Sequence, residues 1–183
     1  MAVQVKSGVT WRMVGWGSAV ALLAAPFVAM QVGSAGVNWS TADFAVAGLL
    51  FAMVGGAFEL AVRASGGWAY RGGAALALLG TLLTVWANLA VGIVGTESNP
   101  ANLWFFGALL AGIVGALIAR FRARGMSVAT LATAISLWLA FSIASMSQTD
   151  EPFVSHGIEL AGTSVFALMF LGSAALFRRA ARA

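Results

Sequence analysis

The chain has no cysteine, and its only histidine is His156. The first absence excludes disulfides, thiolate metal sites, iron–sulfur clusters and cysteine nucleophiles. The second excludes a haem held by two histidines of one chain. Charge is scarce too. Asp, Glu, Lys and Arg make up 9% of the 183 residues, against 61% apolar residues and a mean hydropathy of +0.93. A soluble domain carries about 25% charged residues. A surface drawn from this composition could not be kept in water, so lipid must solvate most of the chain.

What is present in abundance is long apolar runs. A helix that crosses a bilayer needs about 20 mostly apolar residues. Six such runs are predicted, at residues 11–31, 44–62, 72–95, 103–119, 126–147 and 160–177. Their length and their Ala and Leu content exclude the alternating ten-residue strands of a membrane barrel. The expected fold is all-α: one polytopic transmembrane bundle over residues 1–183, with no soluble domain.

The charges orient this bundle. The ten basic residues are Lys6, Arg12, Arg63, Arg71, Arg120, Arg122, Arg124, Arg178, Arg179 and Arg182. With six crossings, all ten fall on one side. The other side holds Asp43, Glu97, Asp150, Glu151 and Glu159. Positively charged residues resist translocation. This predicts a multi-pass protein with both termini in the cytoplasm. The sequence pI near 11.2 therefore reflects membrane topology, and nucleic acid is not an expected partner. Trp11 and Trp16 near one boundary, and Trp39 and Trp104 near the other, fit an interfacial aromatic belt.

Between lipid-solvated helices, close backbone approach drives association. Small residues recur every four positions: Gly17, Ala21 and Ala25; Gly48, Ala52 and Gly56; and Gly107, Ala111, Gly115 and Ala119. These stripes are expected to pack the bundle, or to dock a membrane-protein partner or a second copy.

Few polar groups are placed for chemistry. Within the predicted spans the ionisable candidate is Glu59, four residues before Arg63, a spacing that favours an ion pair on one helix face. Asn88 lies inside the third span, where an amide requires a partner, and an interhelical hydrogen bond is expected. Asp150, Glu151, His156 and Glu159 gather in the predicted fifth loop and are candidates for a divalent metal. Their spacing fits no established metal motif, and a solvated acidic loop with Pro152 marking the turn is the simpler reading. The sequence has no serine elbow, metalloprotease helix, phosphate-binding loop or dinucleotide fingerprint. No enzymatic activity and no cofactor are expected.

The stretch Thr96–Asn102, TESNPAN, separates the third and fourth spans. Gly95 is predicted to end the third helix. Asn99 suits an N-cap and Pro100 the first helical position after it. Glu97 would face solvent, and Asn102 would lead into the fourth helix. The segment WANLAVGIVGTESNPANLWFFGALLAGIVGALIARFRARGM, residues 86–126, resembles a family of small multi-pass bacterial inner-membrane proteins. That family shares a Gly-Ser/Thr-Glu-x-Asn-Pro-Ala-Asn turn and an Ala-Arg-Phe-x-x-Arg-Gly-Met loop. VNWSTADFAVAGLL at 37–50, FEL at 58–60 and ALFRRAAR at 175–182 look similar as well. The chain departs from the pattern ahead of Asn38, where Ser34, Ala35 and Gly36 stand in place of acidic residues. The resemblance implies a multi-pass protein of a bacterial inner (cytoplasmic) membrane with this topology, and no activity.

Three functions fit these features. The first is a non-enzymatic accessory or assembly subunit of a larger membrane complex. The second is a small ion or solute transporter or channel working through Glu59, Asn88 or the acidic loops. The third is a metal or cation sensor at the periplasmic face.

Overall fold

The computed structural model describes residues 7–33, 36–64, 67–146 and 155–183. Six α-helices account for most of them: α1 (Ser7–Gln31), α2 (Thr41–Ala64), α3 (Trp68–Ala90), α4 (Leu103–Ile118), α5 (Ala123–Ala144) and α6 (His156–Ala180). No strand occurs among the described residues. All six helices are long and apolar enough to cross a membrane. The chain divides into two compact units, Met1–Ala57 and Phe58–Ala183.

Local chemistry moves several helix ends from their predicted places. α2 starts at Thr41 because Ser40 and Asp43 cap it reciprocally. The Ser40 backbone N–H donates to Asp43 Oδ2 at 2.7 Å, and the Asp43 N–H donates to Ser40 Oγ at 3.3 Å. This is a capping box with Asp in the place of Glu. Likewise α6 starts at His156 because Ser155 is its N-cap, its hydroxyl accepting from the Gly157 N–H at 3.2 Å. His156 and Glu159 therefore belong to the first helical turn rather than to a loop.

In the first unit, α1 runs through Pro26 without ending. It meets α2 through Leu23, which lies 3.7 Å from a Cβ built on Gly48, and through Trp16, whose ring lies 2.9 Å from a Cβ built on Gly55. Gly48 thus acts as predicted. Its companion Gly56 has nothing within 4 Å, and Gly55 takes the packing role instead.

In the second unit the helices pack in the order α3, α6, α5, α4, and consecutive α3 and α4 scarcely touch. The main core joins Phe105, Ala108 and Leu109 of α4 to Ala134, Leu137, Ala140 and Ala144 of α5 and to Ala167 and Phe170 of α6. Trp138 packs against it and donates Nε1–H to Ser164 Oγ at 3.3 Å, tying α5 to α6. A smaller cluster of Tyr70, Ala74 and Phe177 closes the opposite end of α3. There Tyr70 meets Phe177 edge-on at 5.1 Å and donates its hydroxyl to the Phe121 carbonyl at 2.7 Å. That bond holds a turn in which Arg120 and Phe121 both have positive φ, +48° and +57°, a conformation unusual for side chains with a Cβ.

The predicted α4 stripe is shifted. Gly107 has nothing within 4 Å of a built Cβ, and Ala111 is exposed. The close approach to α5 is made by Gly112, against Thr133, and by Gly115, where a built Cβ would lie 2.9 Å from the Ala129 methyl. Outward from α4 point Leu110, Ile113, Leu117 and Ile118, all exposed. An apolar face of this kind suits hydrocarbon and not water.

Candidate functional site

The polar chemistry of the second unit converges on the connector between α3 and α4. α3 ends at Ala90, five residues before the predicted stop at Gly95. Val91 leaves the helix, and Gly92 takes φ +76°. A Cβ on Gly92 would collide with the backbone of Thr96 and Glu97, so both the dihedral and the space require glycine. Gly95 follows at φ +66°. Between the two glycines, Ile93 and Val94 turn back into the core, with Val94 1% exposed.

Backbone buried outside a helix needs other partners, and Asn102 supplies them. Its Oδ1 accepts from the N–H groups of Ile93 at 3.1 Å and Val94 at 3.0 Å. Its Nδ2 donates to the carbonyls of Val94 at 3.2 Å and Thr96 at 2.8 Å. One buried carboxamide thus makes all four bonds open to it. Asn99 caps a single 3-10 turn, Pro100–Asn102, and its Oδ1 accepts from the Ala101 N–H at 2.9 Å. The predicted roles of Asn99 and Pro100 are those observed. The turn itself is more tightly knit than a surface connector.

α6 clamps the same connector. Glu159 is 6% exposed. Its Oε1 accepts from the Gly95 N–H at 2.8 Å, and its Oε2 contacts His156 Nδ1 at 3.0 Å. The buried carboxyl therefore links α6 to a segment 64 residues earlier. The apolar run left Glu159 in the fifth loop; its three-residue spacing from His156 allowed a shared helix face, and the Ser155 cap is the signal that places both in α6. Of the four candidate metal ligands, the structure brings His156 and Glu159 together. Asp150 and Glu151 lie outside the described residues. Among the described residues no group of three or more metal-binding side chains converges.

Asn88 does not reach across to another helix as expected. It sits in the last turn of α3, and its Nδ2 donates to the Thr84 carbonyl of its own helix at 3.1 Å. Asn88 is 4% exposed, and its Oδ1 has no protein partner. Asn99 is 8% exposed, and its Nδ2 has none either. In both side chains the bond made by one amide atom fixes the orientation of the other. An unpartnered buried amide atom costs about 1–3 kcal/mol. Both residues belong to the lining of one open depression of about 380 Å³, whose apolar part is exposed Leu89 and Leu103 with half-buried Phe106, and whose polar part includes Glu97, Ser98 and Asn102.

Glu59 and Arg63 form the expected ion pair, 3.3 Å apart, with the arginine side chain 68% exposed. A pair so open to its surroundings contributes little to stability. Several buried or half-buried hydroxyls serve the framework. Thr84 and Thr133 donate to carbonyls one turn earlier, at 2.7 and 3.0 Å. Ser173 donates from α6 to the Gly73 carbonyl at 2.7 Å, and Ser127 donates from α5 to the Ala174 carbonyl at 2.9 Å. Thr163 Oγ1 is buried without a protein partner. No family model, curated protein or solved structure matches the chain.

Proposed function

We propose that the chain is a multi-pass protein of a bacterial inner membrane, with both termini cytoplasmic, acting as a non-enzymatic accessory or assembly subunit of a larger membrane complex. Sorting of all ten basic residues to alternate loops supports the orientation,. The resemblance of residues 86–126 to small bacterial inner-membrane proteins supports the location. One observation carries the role. Apart from Thr163, the buried hydroxyls of Thr84, Thr133 and Ser173 bond to backbone within or between helices, and Glu59 pairs with Arg63. Such polar groups lock a framework; they do not line a path for an ion. The most elaborate construction is instead a rigid connector, fixed by Asn102 and Glu159, at one end of an apolar bundle. A fixed polar end and apolar flanks suit a docking subunit.

Mild-detergent extraction from native membranes, followed by native mass spectrometry, tests this reading. The expected result is a complex with another membrane protein in fixed stoichiometry. Recovery of the chain alone overturns it. The second reading, a small solute transporter, is favoured by the depression beside Asn88. It predicts solute flux in proteoliposomes that falls in Asn88→Leu. Equal flux in wild type, variant and empty vesicles removes it.

A further inference from the structure

We infer that the end of the second unit built around Tyr70 and Phe177 is a binding surface for the phosphodiester head of an anionic phospholipid. The inference rests on the membrane reading of the chain and is independent of the accessory role. Tyr70, Ala74 and Phe177 form a small cluster against which Ala123, Met126 and Ala180 pack. The chain neighbours of these residues are arginines. Arg122 and Arg124 flank Ala123, the first residue of α5. Arg178 and Arg179 stand between Phe177 and Ala180 in the last turn of α6. Arg120 precedes Phe121, whose carbonyl accepts the Tyr70 hydroxyl. The fold thus gathers five exposed arginines, from the α4–α5 turn and the end of α6, round one small core.

This charge is not compensated within the unit. Arg120, Arg122, Arg124 and Arg178 form no ion pair among the described residues. Of the described acids of the unit, Glu59 is paired with Arg63, and Glu97 and Glu159 belong to the opposite end of α3. Like charges gathered at one end repel one another, and an anion relieves them. The aromatic residues place that anion at the height of lipid headgroups. Trp68 is 63% exposed and Phe121 52% exposed, and the Arg179 guanidinium lies 4.8 Å over the Trp68 ring. Exposed aromatic rings beside long basic side chains mark a membrane–water boundary. A phospholipid offers apolar tails to the rings and a phosphate that guanidinium groups bind through paired N–H bonds. A soluble phosphate leaves the rings without a partner. The turn points the same way. The Arg120 N–H donates to the Leu117 carbonyl at 3.0 Å and the Phe121 N–H to the Ala116 carbonyl at 3.1 Å. A helix end closed in this way ordinarily takes glycine at the left-handed position. Here φ is +48° at Arg120 and +57° at Phe121, so the residues kept against backbone preference are one arginine and one exposed aromatic.

The test is native mass spectrometry of the purified full chain in neutral detergent. Dioleoyl phosphatidylglycerol, phosphatidylethanolamine and phosphatidylcholine are offered at equal concentration. Detergent has no leaflets, so the outcome does not depend on orientation, and none of its outcomes bears on whether a partner subunit co-purifies. Phosphatidylglycerol is expected to bind about tenfold or more tightly than either zwitterionic lipid, and more weakly as salt rises. Arg178→Gln should weaken it about fivefold, and Arg122→Gln with Arg124→Gln about tenfold or more. Arg122→Lys with Arg124→Lys keeps the charge and should stay within about threefold of wild type. Arg120→Gly relieves the left-handed residue and removes its charge. It should unfold no earlier than wild type yet bind phosphatidylglycerol about fivefold more weakly, a split that a purely structural role would not give. Glu97→Gln, at the opposite end, raises the net charge and should leave binding unchanged. The inference is overturned by equal binding of the three lipids, by affinity that ignores the arginine variants, or by tighter binding in Glu97→Gln. Displacement of phosphatidylglycerol by equimolar inorganic phosphate, or by an octaglutamate peptide, would also overturn it and assign the surface to a soluble phosphate or an acidic protein segment.

Discussion

Asn102 and Glu159 show how single side chains hold irregular backbone inside an apolar bundle. Removing the Asn102 carboxamide leaves the Ile93 and Val94 N–H groups buried without acceptors. Asn102→Leu is expected to destabilise the fold by about 3 kcal/mol, the sum of two buried donors left unmade. Thermal unfolding in detergent, followed by circular dichroism, measures this. Ser98→Ala in the same stretch, which removes only an exposed hydroxyl contact with Thr96, should stay within about 0.5 kcal/mol of wild type. For Glu159 the two substitutions should separate. Gln keeps an oxygen for the Gly95 N–H and offers an N–H to His156 Nδ1, so Glu159→Gln should remain within about 1 kcal/mol of wild type. Glu159→Leu loses both contacts and should cost about 2 kcal/mol. An unfolding temperature equal for the two variants would show that the clamp contributes nothing.

Helices were legible in the sequence wherever an apolar run of bilayer length said all there was to say. All six are present, and the Ser40–Asp43 and Ser155 caps extend two of them beyond their apolar runs. Hydropathy fails where apolar backbone is buried without being helical. Ile93 and Val94 read as the end of the third span, yet they are core residues of a reversed connector. The available signal was Gly92 and Gly95 three residues apart, with Asn102 seven residues further on. The α4 stripe held at Gly115 but not at Gly107 and Ala111, for a different reason. A four-residue repeat drifts around a helix of 3.6 residues per turn, and the packed face takes Ala108, Gly112 and Gly115 instead of Gly107 and Ala111. A direct comparison checks this. Gly112→Val forces a side chain against Thr133 and should destabilise by about 2 kcal/mol, as overpacking does. Gly107→Val meets open space and should change stability by less than about 0.5 kcal/mol. The reverse order would restore the predicted stripe.

At the scale of the whole molecule, the orientation is open to a direct chemical measurement because the chain has no cysteine of its own. Any single cysteine introduced is then the only target of a maleimide. Ser98 and Gly67 are exposed and lie at opposite ends of α3. Ala183 is exposed beyond α6. If every helix crosses the membrane, Gly67 and Ala183 share a face, and Ser98 lies on the other. The basic residues flanking Gly67 and Ala183 assign that shared face to the cytoplasm,. In spheroplasts, a membrane-impermeant maleimide should label Ser98→Cys at once. Gly67→Cys and Ala183→Cys should react only after the membrane is opened. The inverse pattern would keep the α3 crossing and reverse the orientation. Labelling of Ser98→Cys and Ala183→Cys from the same side would mean that one or all three of the last apolar helices do not cross. The connector and the depression beside it would then have to be placed again relative to the bilayer.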